Sequence, residues 1–383
     1  MTNDELPMTI MIIAGEVSGD LLGAELSAEL KKVNNNLNII GIGGDRMKLA
    51  GVEIIYHINK LAFLGFAEVV KHIPYIRKVQ SDLIEVIKER NIKNIILIDY
   101  PGFNLNFAKK VKQLGVKVIY YVSPQVWAWG KGRIKRIKDL VRKIYVVFPF
   151  EEKLYRDEGI DVEFVGHPLL ERISNYDFLP KEKFFSMYGL NPDKEILLVL
   201  PGSRNHEVER IFPAVIKAAE KISSEFNLQV VVAGASGIDE NLFKRLSGSK
   251  DYKIIKDHNY ELMKYAKFGI IKSGTSTLEA GLLGLPMIIV YKTSLLTYYI
   301  GKNLVSLKNI GMANIISGED VVPELIQDKV NPEKIYNESK KILSDNTLYN
   351  SIKDKLFEIN NKLGGKGTVR KTAESIYSLI NEG

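Results

Sequence analysis

The sequence predicts an α/β fold of two facing, doubly wound domains, and three observations carry that prediction. Short apolar runs alternate with longer amphipathic stretches along most of the chain, the layout of parallel βα units. The runs are near-continuous in Ile, Val and Leu, as strands covered on both faces require. At 383 residues the chain is long enough for two domains, each burying a core without staples.

Taken in order, the runs of the first half fall at 9–14, 37–41, 53–56, 95–98, 117–122, 143–148 and 162–165. Helical periodicity fills segments between them, as at 75–88 and 107–114. Gly166-His167-Pro168-Leu169 and the polar stretch 174–181 mark a joint between two sheets. The second half repeats the layout, with runs at 196–200, 229–233, 253–256, 268–271 and 287–291. Beyond Gly318 the chain reads as charged helix, broken at Asn331-Pro332 and Gly364-Gly365. The expected domains are 1–168 and 169–350. A helical tail, 351–383, is expected to pack back on the first domain or on a partner subunit.

Composition narrows the chemistry. There is no cysteine, which excludes disulfides, a thiolate nucleophile and Cys-ligated zinc. The five histidines show no metal-ligand spacing. Lys and Arg number 53 against 46 acids, a mild excess that suits an anionic ligand or surface better than a nucleic-acid track. No apolar stretch is long enough to span a bilayer, and the acidic opening residues do not resemble a signal peptide. The expected location is cytoplasmic.

In such sheets ligands bind beyond the carboxyl ends of the strands, so the loops after each run are where chemistry is sought. The first carries Glu16, Ser18 and Asp20 in Gly15-Glu16-Val17-Ser18-Gly19-Asp20. Ser18 or Asp20 can cap the following helix, or the three can contact a ligand. After the fourth run stands Asp99, in Asp99-Tyr100-Pro101-Gly102-Phe103-Asn104. A carboxylate there is either a general base of raised pKa or an Asx turn opening the next helix. The fifth loop holds Gln125 and both tryptophans, Trp127 and Trp129, suited to a sugar face, an acyl chain or an interface. Residues 131–143 follow with seven bases and one acid, a solvated helix face or a contact to phosphate or anionic lipid.

In the second half, Gly202, Ser203 and Arg204 follow a strand. Arg204 either meets a phosphate bidentately or pairs with an acid of its own helix. Ser273-Gly274-Thr275 opens another helix as a diphosphate cradle, and Glu279, one turn on, can take two ribose hydroxyls. One further segment, 61–78, crowds Leu64, Phe66, Val69 and Val70 beside Lys71, Arg77 and Lys78. It reads as a membrane-surface contact or as core of the first domain.

These motifs resemble the lipid-A-disaccharide synthase family, nucleotide-sugar glycosyltransferases of the GT-B fold. The resemblance rests on Gly15-Glu16-x-Ser18-Gly19-Asp20, Gly41-x-Gly43-Gly44, Asp99-x-Pro101-x-Phe103-Asn104, Ser123-Pro124-Gln125-Val126-Trp127-Ala128-Trp129, Gly166-His167-Pro168-Leu169, Pro201-Gly202-Ser203-Arg204 and Ser273-Gly274-Thr275. Leu307-Lys308-Asn309-Ile310 with Asn314 also fits. It implies two Rossmann-like domains, the first binding acceptor and lipid and the second the UDP-sugar, with the active site in the cleft between them.

The implied reaction belongs to the lipid A biosynthesis of lipopolysaccharide. It transfers 2,3-diacylglucosamine, with inversion, from its UDP donor to 2,3-diacylglucosamine 1-phosphate, giving the β-1,6-linked disaccharide phosphate and UDP. Asp99 is then the base candidate. Gly202, Ser203, Arg204, Ser273, Gly274, Thr275, Glu279, Asn314 and Gln327 fall to the donor, and Glu16, Ser18, Asp20, Asn104, Gln125, Trp127 and Trp129 to the acceptor side. No cofactor is implied, and no Asp-x-Asp occurs to suggest metal-assisted departure of UDP. The partners implied are the two sugar lipids and an anionic inner-membrane surface, with no nucleic acid, and either a monomer or a homodimer. A UDP-sugar epimerase of the same fold, or a non-catalytic binding protein, are the competing readings.

Overall fold

A computed structural model of the chain describes residues 8–61, 72–124, 126–127, 132–248, 251–294, 298 and 308–382. The chain divides into two compact units, one of Met1–Glu171 with Leu363–Gly383, the other of Arg172–Lys362.

The first unit is built on a seven-stranded parallel sheet. Its strands are β1 (Thr9–Ala14), β2 (Asn38–Gly43), β3 (Glu53–His57), β4 (Asn94–Ile98), β5 (Lys117–Tyr121), β6 (Lys143–Val146) and β7 (Val162–Phe164). They lie in the order β3-β2-β1-β4-β5-β6-β7. Every residue of β4 is buried, as its unbroken apolar run requires. Register is set by pairs such as Ile12↔Ile96 and Ile96↔Ile119. One face of the sheet carries a core that includes Met11, Ile40, Ile95, Leu97, Phe107 and Tyr120. Leu61 is 1% exposed and belongs to that core, so the described start of segment 61–78 is core rather than surface. Leu64, Phe66, Val69 and Val70 lie outside the described residues.

The second unit has a six-stranded parallel sheet in the order β10-β9-β8-β11-β12-β13. Its strands are β8 (Ile196–Leu200), β9 (Gln229–Ala233), β10 (Lys253–Ile255), β11 (Ala266–Lys272), β12 (Met287–Tyr291) and β13 (Glu324–Ile326). The last of these was not expected, because three residues behind Pro323 are too few to show a period in a stretch that otherwise reads as helix.

The end of the chain also differs from expectation. A helix over Asn346–Lys362 runs through residue 351 and packs with the second unit, on the helices Thr275–Leu282 and Met312–Ser317. The break at Gly364-Gly365 is where the chain returns to the first unit. There the final helix, Thr368–Asn381, packs on the helix Val17–Val33. Asn34 Nδ2 donates to Tyr377 Oη at 3.0 Å, and Arg142 Nη1 donates to the Leu379 carbonyl at 3.0 Å. At the return, the His167 amide donates to the Leu363 carbonyl at 2.9 Å. Gly166 has φ +88°, and a Cβ on it would stand 2.9 Å from Thr368 Oγ1 and 3.0 Å from the Leu363 oxygen.

Gly166→Ala is therefore expected to destabilise the first unit more than Gly115→Ala. At Gly115 φ is +75° but nothing lies within 4 Å of the new methyl. The latter costs only the left-handed conformation, about 1 kcal/mol. The former adds a clash with backbone and should lose about 2–3 kcal/mol by urea unfolding. Equal losses would show that the return crossing carries no packing constraint.

Candidate active site

In each sheet the strand order reverses beside the first strand of its unit, between β1 and β4 in one and between β8 and β11 in the other. Beyond the carboxyl ends at such a reversal the flanking loops diverge and leave a crevice. The loops at these two places are 15–20 with Asp99, and 201–204 with 273–279. Four of the loops the sequence singled out therefore stand at the two topological switch points.

In the first unit, Asp99 and Tyr100 both adopt left-handed backbone, at φ +43° and +46°, and the β-branched Val122 does so at +58°. Such residues cost on the order of 1–3 kcal/mol each and persist only where neighbours over-determine them. Asn104 supplies part of that constraint: its Nδ2, fully buried, donates to the Asp99 carbonyl at 2.7 Å and the Ile98 carbonyl at 3.2 Å. Tyr120 Oη donates to the same Asp99 carbonyl at 2.5 Å. Gly15 is required here, since a Cβ on it would enter the Tyr100 ring at 2.1 Å.

The Asp99 side chain opens into a cavity of about 470 Å³ that Pro101, Val122, Ser123, Arg133, Phe148 and Glu151 also line. Burial, and secondarily the negative charge of Glu16, push the Asp99 carboxyl up to about 6. Glu151 is 1% exposed and accepts from Ser123 Oγ at 2.8 Å, Trp127 Nε1 at 3.0 Å and the Phe148 amide at 3.3 Å. Burial outweighs these donors and pushes its carboxyl up to about 7. Trp127 is wedged edge-on against Phe148 and Phe150, with centroids 6.4 and 5.2 Å away.

The rest of the acceptor-side set divides. Glu16 and Ser18 are exposed at the start of the helix Val17–Val33, and Glu16 makes no capping bond to it. Asp20 is buried and caps a different helix, Asp45–Leu49. It accepts the amides of Gly44 at 2.6 Å, Met47 at 3.1 Å and Arg46 at 3.2 Å. Neither capping role read from sequence for the first helix is seen. Gln125 and Trp129 lie outside the described residues.

In the second unit, Arg204 is exposed at the N-cap of the helix Asn205–Phe226. Among the described residues no carboxylate forms a salt bridge with it. The acid of its own first turn, Glu207, pairs instead with Lys272 at the end of β11, Nζ to Oε1 at 2.8 Å. Glu207 also accepts the Ser203 amide at 3.1 Å. Burial works against its charge, but Lys272, the Ser203 amide and the Arg204 charge together hold it below the usual carboxylate range. This pair bolts one switch-point loop to the other, with Gly202 and Ser203 on one side.

Gly274 and Thr275 stand exposed at the start of the helix Thr275–Leu282, while Ser273 Oγ donates to the Ile310 carbonyl at 3.0 Å. Glu279, one turn along, accepts from Tyr260 Oη at 3.3 Å. Burial raises its pKa against the pull of Tyr260 and Arg172. Asn314 and Gln327 are occupied differently. Asn314 Nδ2 donates to the Val322 carbonyl and to Glu324, each at 2.8 Å, and its Oδ1 accepts the Val322 amide at 3.0 Å. Gln327, at φ +54°, clasps both backbone groups of Thr293 at 2.8 and 3.2 Å. Their amides hold loops.

Sequence reasoning missed Glu151, Lys272, Tyr260 and Glu324. Glu324 takes the amides of Ile310 and Gly311 at 2.8 and 3.0 Å and so fixes the carbonyl to which Ser273 is tied. Glu151 carried only a faint signal: it stands in the first turn of the helix that follows β6, past the strand end rather than at it as Asp99 is.

A family model described as lipid-A-disaccharide synthetase matches residues 10–377. The lipid-A-disaccharide synthase of Geobacter sulfurreducens is 39% identical, with 97% of each chain aligned. That of Myxococcus xanthus is 37% identical over the full length of both. Among solved structures, the UDP-GlcNAc 2-epimerase of Neisseria meningitidis bound to UDP-GlcNAc superposes with TM-score 0.67 at 12% identity, covering 97% of this chain and 100% of that one. The calicheamicin glycosyltransferase CalG4 gives 0.61 at 15%, covering 98% of each. Likeness at that level speaks for the shared fold only, and for the epimerase as much as for the transferase. Identity of 37–39% along nearly the whole chain speaks for more: the chain belongs to the lipid-A-disaccharide synthetase family and is a glycosyltransferase.

Proposed function

We propose that the chain transfers 2,3-diacylglucosamine from its UDP donor to the 6-hydroxyl of 2,3-diacylglucosamine 1-phosphate, with Asp99 as general base. The observation that carries this reading is the desolvated Asp99 carboxyl at a switch-point strand end, braced by Asn104 and Tyr120. The hydroxyl proton passes to the carboxylate as the oxygen bonds to the donor's anomeric carbon. The bond from that carbon to the diphosphate breaks, and UDP leaves with its electron pair. Attack opposite the leaving group turns the α-linked donor into a β-linked product. A base with pKa near 6 is mostly ionised at neutral pH yet remains a useful proton acceptor.

The second unit is assigned the donor. Arg204 and the exposed amide end at Gly274 and Thr275 meet the diphosphate, where charge grows as UDP departs. Glu279 takes the ribose hydroxyls. Asn314 and Gln327 serve by holding loops, in keeping with their occupied amides. The diacyl chains of both substrates further call for peripheral attachment at an anionic membrane. Among the described residues no helix is long and apolar enough to cross one.

Asp99→Asn should fold normally and lose at least about a hundredfold in turnover, with UDP binding retained. In the parent, acceptor kcat/KM should fall with unit slope below about pH 6, because protonation removes the base. Near-parent turnover in the variant would dismiss the assignment.

Glu279→Ala and Arg204→Ala should each weaken UDP binding by about 1–3 kcal/mol in calorimetry, through ribose and diphosphate respectively. Unchanged UDP affinity and turnover in both would mean the donor lies elsewhere.

Joint replacement of Leu64, Phe66, Val69 and Val70 by Ser should reduce binding to anionic vesicles while circular dichroism stays native. Parent binding should weaken as salt is raised. An unfolded variant, or one that binds vesicles as the parent does, would return this segment to the core.

A further inference from the structure

Among the described residues, Glu151 is the one cavity-lining acid that the proposed reaction leaves without a part. It sits at the third position of the helix Pro149–Asp157, where reaching back to the Phe148 amide is ordinary capping. Capping does not account for its other two partners. Ser123 Oγ and Trp127 Nε1 both converge on Oε1, from the loop after β5, at 2.8 and 3.0 Å. Those donors belong to the loop that, with Asp99, walls the cavity.

We propose that Glu151 is a positioning residue of the transfer site: lining the Asp99 cavity together with Ser123, it ties Ser123 and the Trp127 indole behind it to one point and so fixes the wall against which the acceptor sugar seats. The proposal rests on the reading of Asp99 as base. An indole packed edge-on to Phe148 and Phe150, with its N–H pinned, is a rigid support for the loop that brings Ser123 to the cavity. A buried carboxylate pins it better than a neutral group, because charge-assisted bonds are stronger. The clamp is consequently tied to the charge of Glu151, whose carboxyl titrates at about 7. The groups facing it are few. Asp99 and Arg133 share the cavity, Tyr155 on its own helix donates to the Pro124 carbonyl at 3.3 Å, and His167 packs on Phe148 with centroids 5.1 Å apart. Glu152, next in the chain, is paired outward with Arg156 at 2.8 Å.

The test uses the full-length protein. Glu151→Gln keeps the shape but places an NH₂ among converging donors. It should lower kcat/KM for the acceptor by about tenfold or more and leave donor KM unchanged. The sequence has two tryptophans, so a Trp129→Phe background leaves Trp127 as the lone indole. Its emission should titrate with a midpoint near pH 7, and this transition should vanish on adding Glu151→Gln. Parent-like acceptor kinetics, an equal loss toward both substrates, or an unaltered emission titration would overturn the proposal. Should Glu151→Gln fail to fold, Trp127→Phe removes the indole donor alone. It should reproduce the acceptor-side loss, and parent kinetics there would overturn the clamp. The emission titration does not depend on turnover. An Asp99→Asn enzyme of normal rate would remove the base while the titration stood, and a flat titration beside an inactive Asp99→Asn would remove the clamp alone.

Discussion

A strand buried on both faces can carry polar chemistry only at its ends. β4 and β8 have no exposed residue, so side chains that must meet a ligand are pushed to the position just past the last apolar one. Parallel pairing then puts all such positions of a sheet along the same edge, and the reversal of strand order opens room there. Asp99, the turn at 201–204 and the turn at 273–279 follow from that single constraint. So does the backbone strain at Asp99, Tyr100 and Val122, where the chain must leave the sheet abruptly.

Buried carboxylates are held in two opposite ways, and Glu279 of the second unit, raised by burial, falls with those of the first. In the first unit, Asp99 and Glu151 are desolvated, neither forms a salt bridge among the described residues, and burial pushes their carboxyls up to about 6 and about 7. At the switch point of the second unit, by contrast, Glu207 is kept ionised by Lys272 and serves as a fixed bolt between loops. One arrangement keeps protons exchangeable and the other removes them from play. This is the division expected if the first unit handles a proton and the second holds a charged leaving group.

Much of this was legible in the residues. Strand ends could be read from apolar runs alone, and with them the four switch-point loops, because burial writes itself into consecutive residues. Partners could not. Asp20 sits in a loop that invites a ligand yet caps a helix two dozen residues away, and no local pattern distinguishes the two. Asn314 and Gln327 carry the right polar groups and spend them on backbone. Glu151 and Glu324 were passed over because their importance lies in which distant amides and side chains converge on them. The short β13 was lost for lack of length, and the extent of the helix Asn346–Lys362 for lack of a break at residue 351.

The return of residues 363–383 to the first unit makes the second unit an insertion. The His167–Leu363 hydrogen bond shows that the chain leaves and re-enters the first unit side by side. Until the insert folds, joining those two points means closing a very long loop of flexible chain. Once folded, the insert is a compact body, and the entropy of closure has already been spent inside it. The last helix can then reach its seat on the helix Val17–Val33 at little further cost. The sheet of the first unit precedes the insert in the chain, but the helix Val17–Val33 meets its partner Thr368–Asn381 only from the far side of it. Completion of the first unit is therefore coupled to the insert: a second unit that stays unfolded adds the full closure entropy to the cost of seating the last helix.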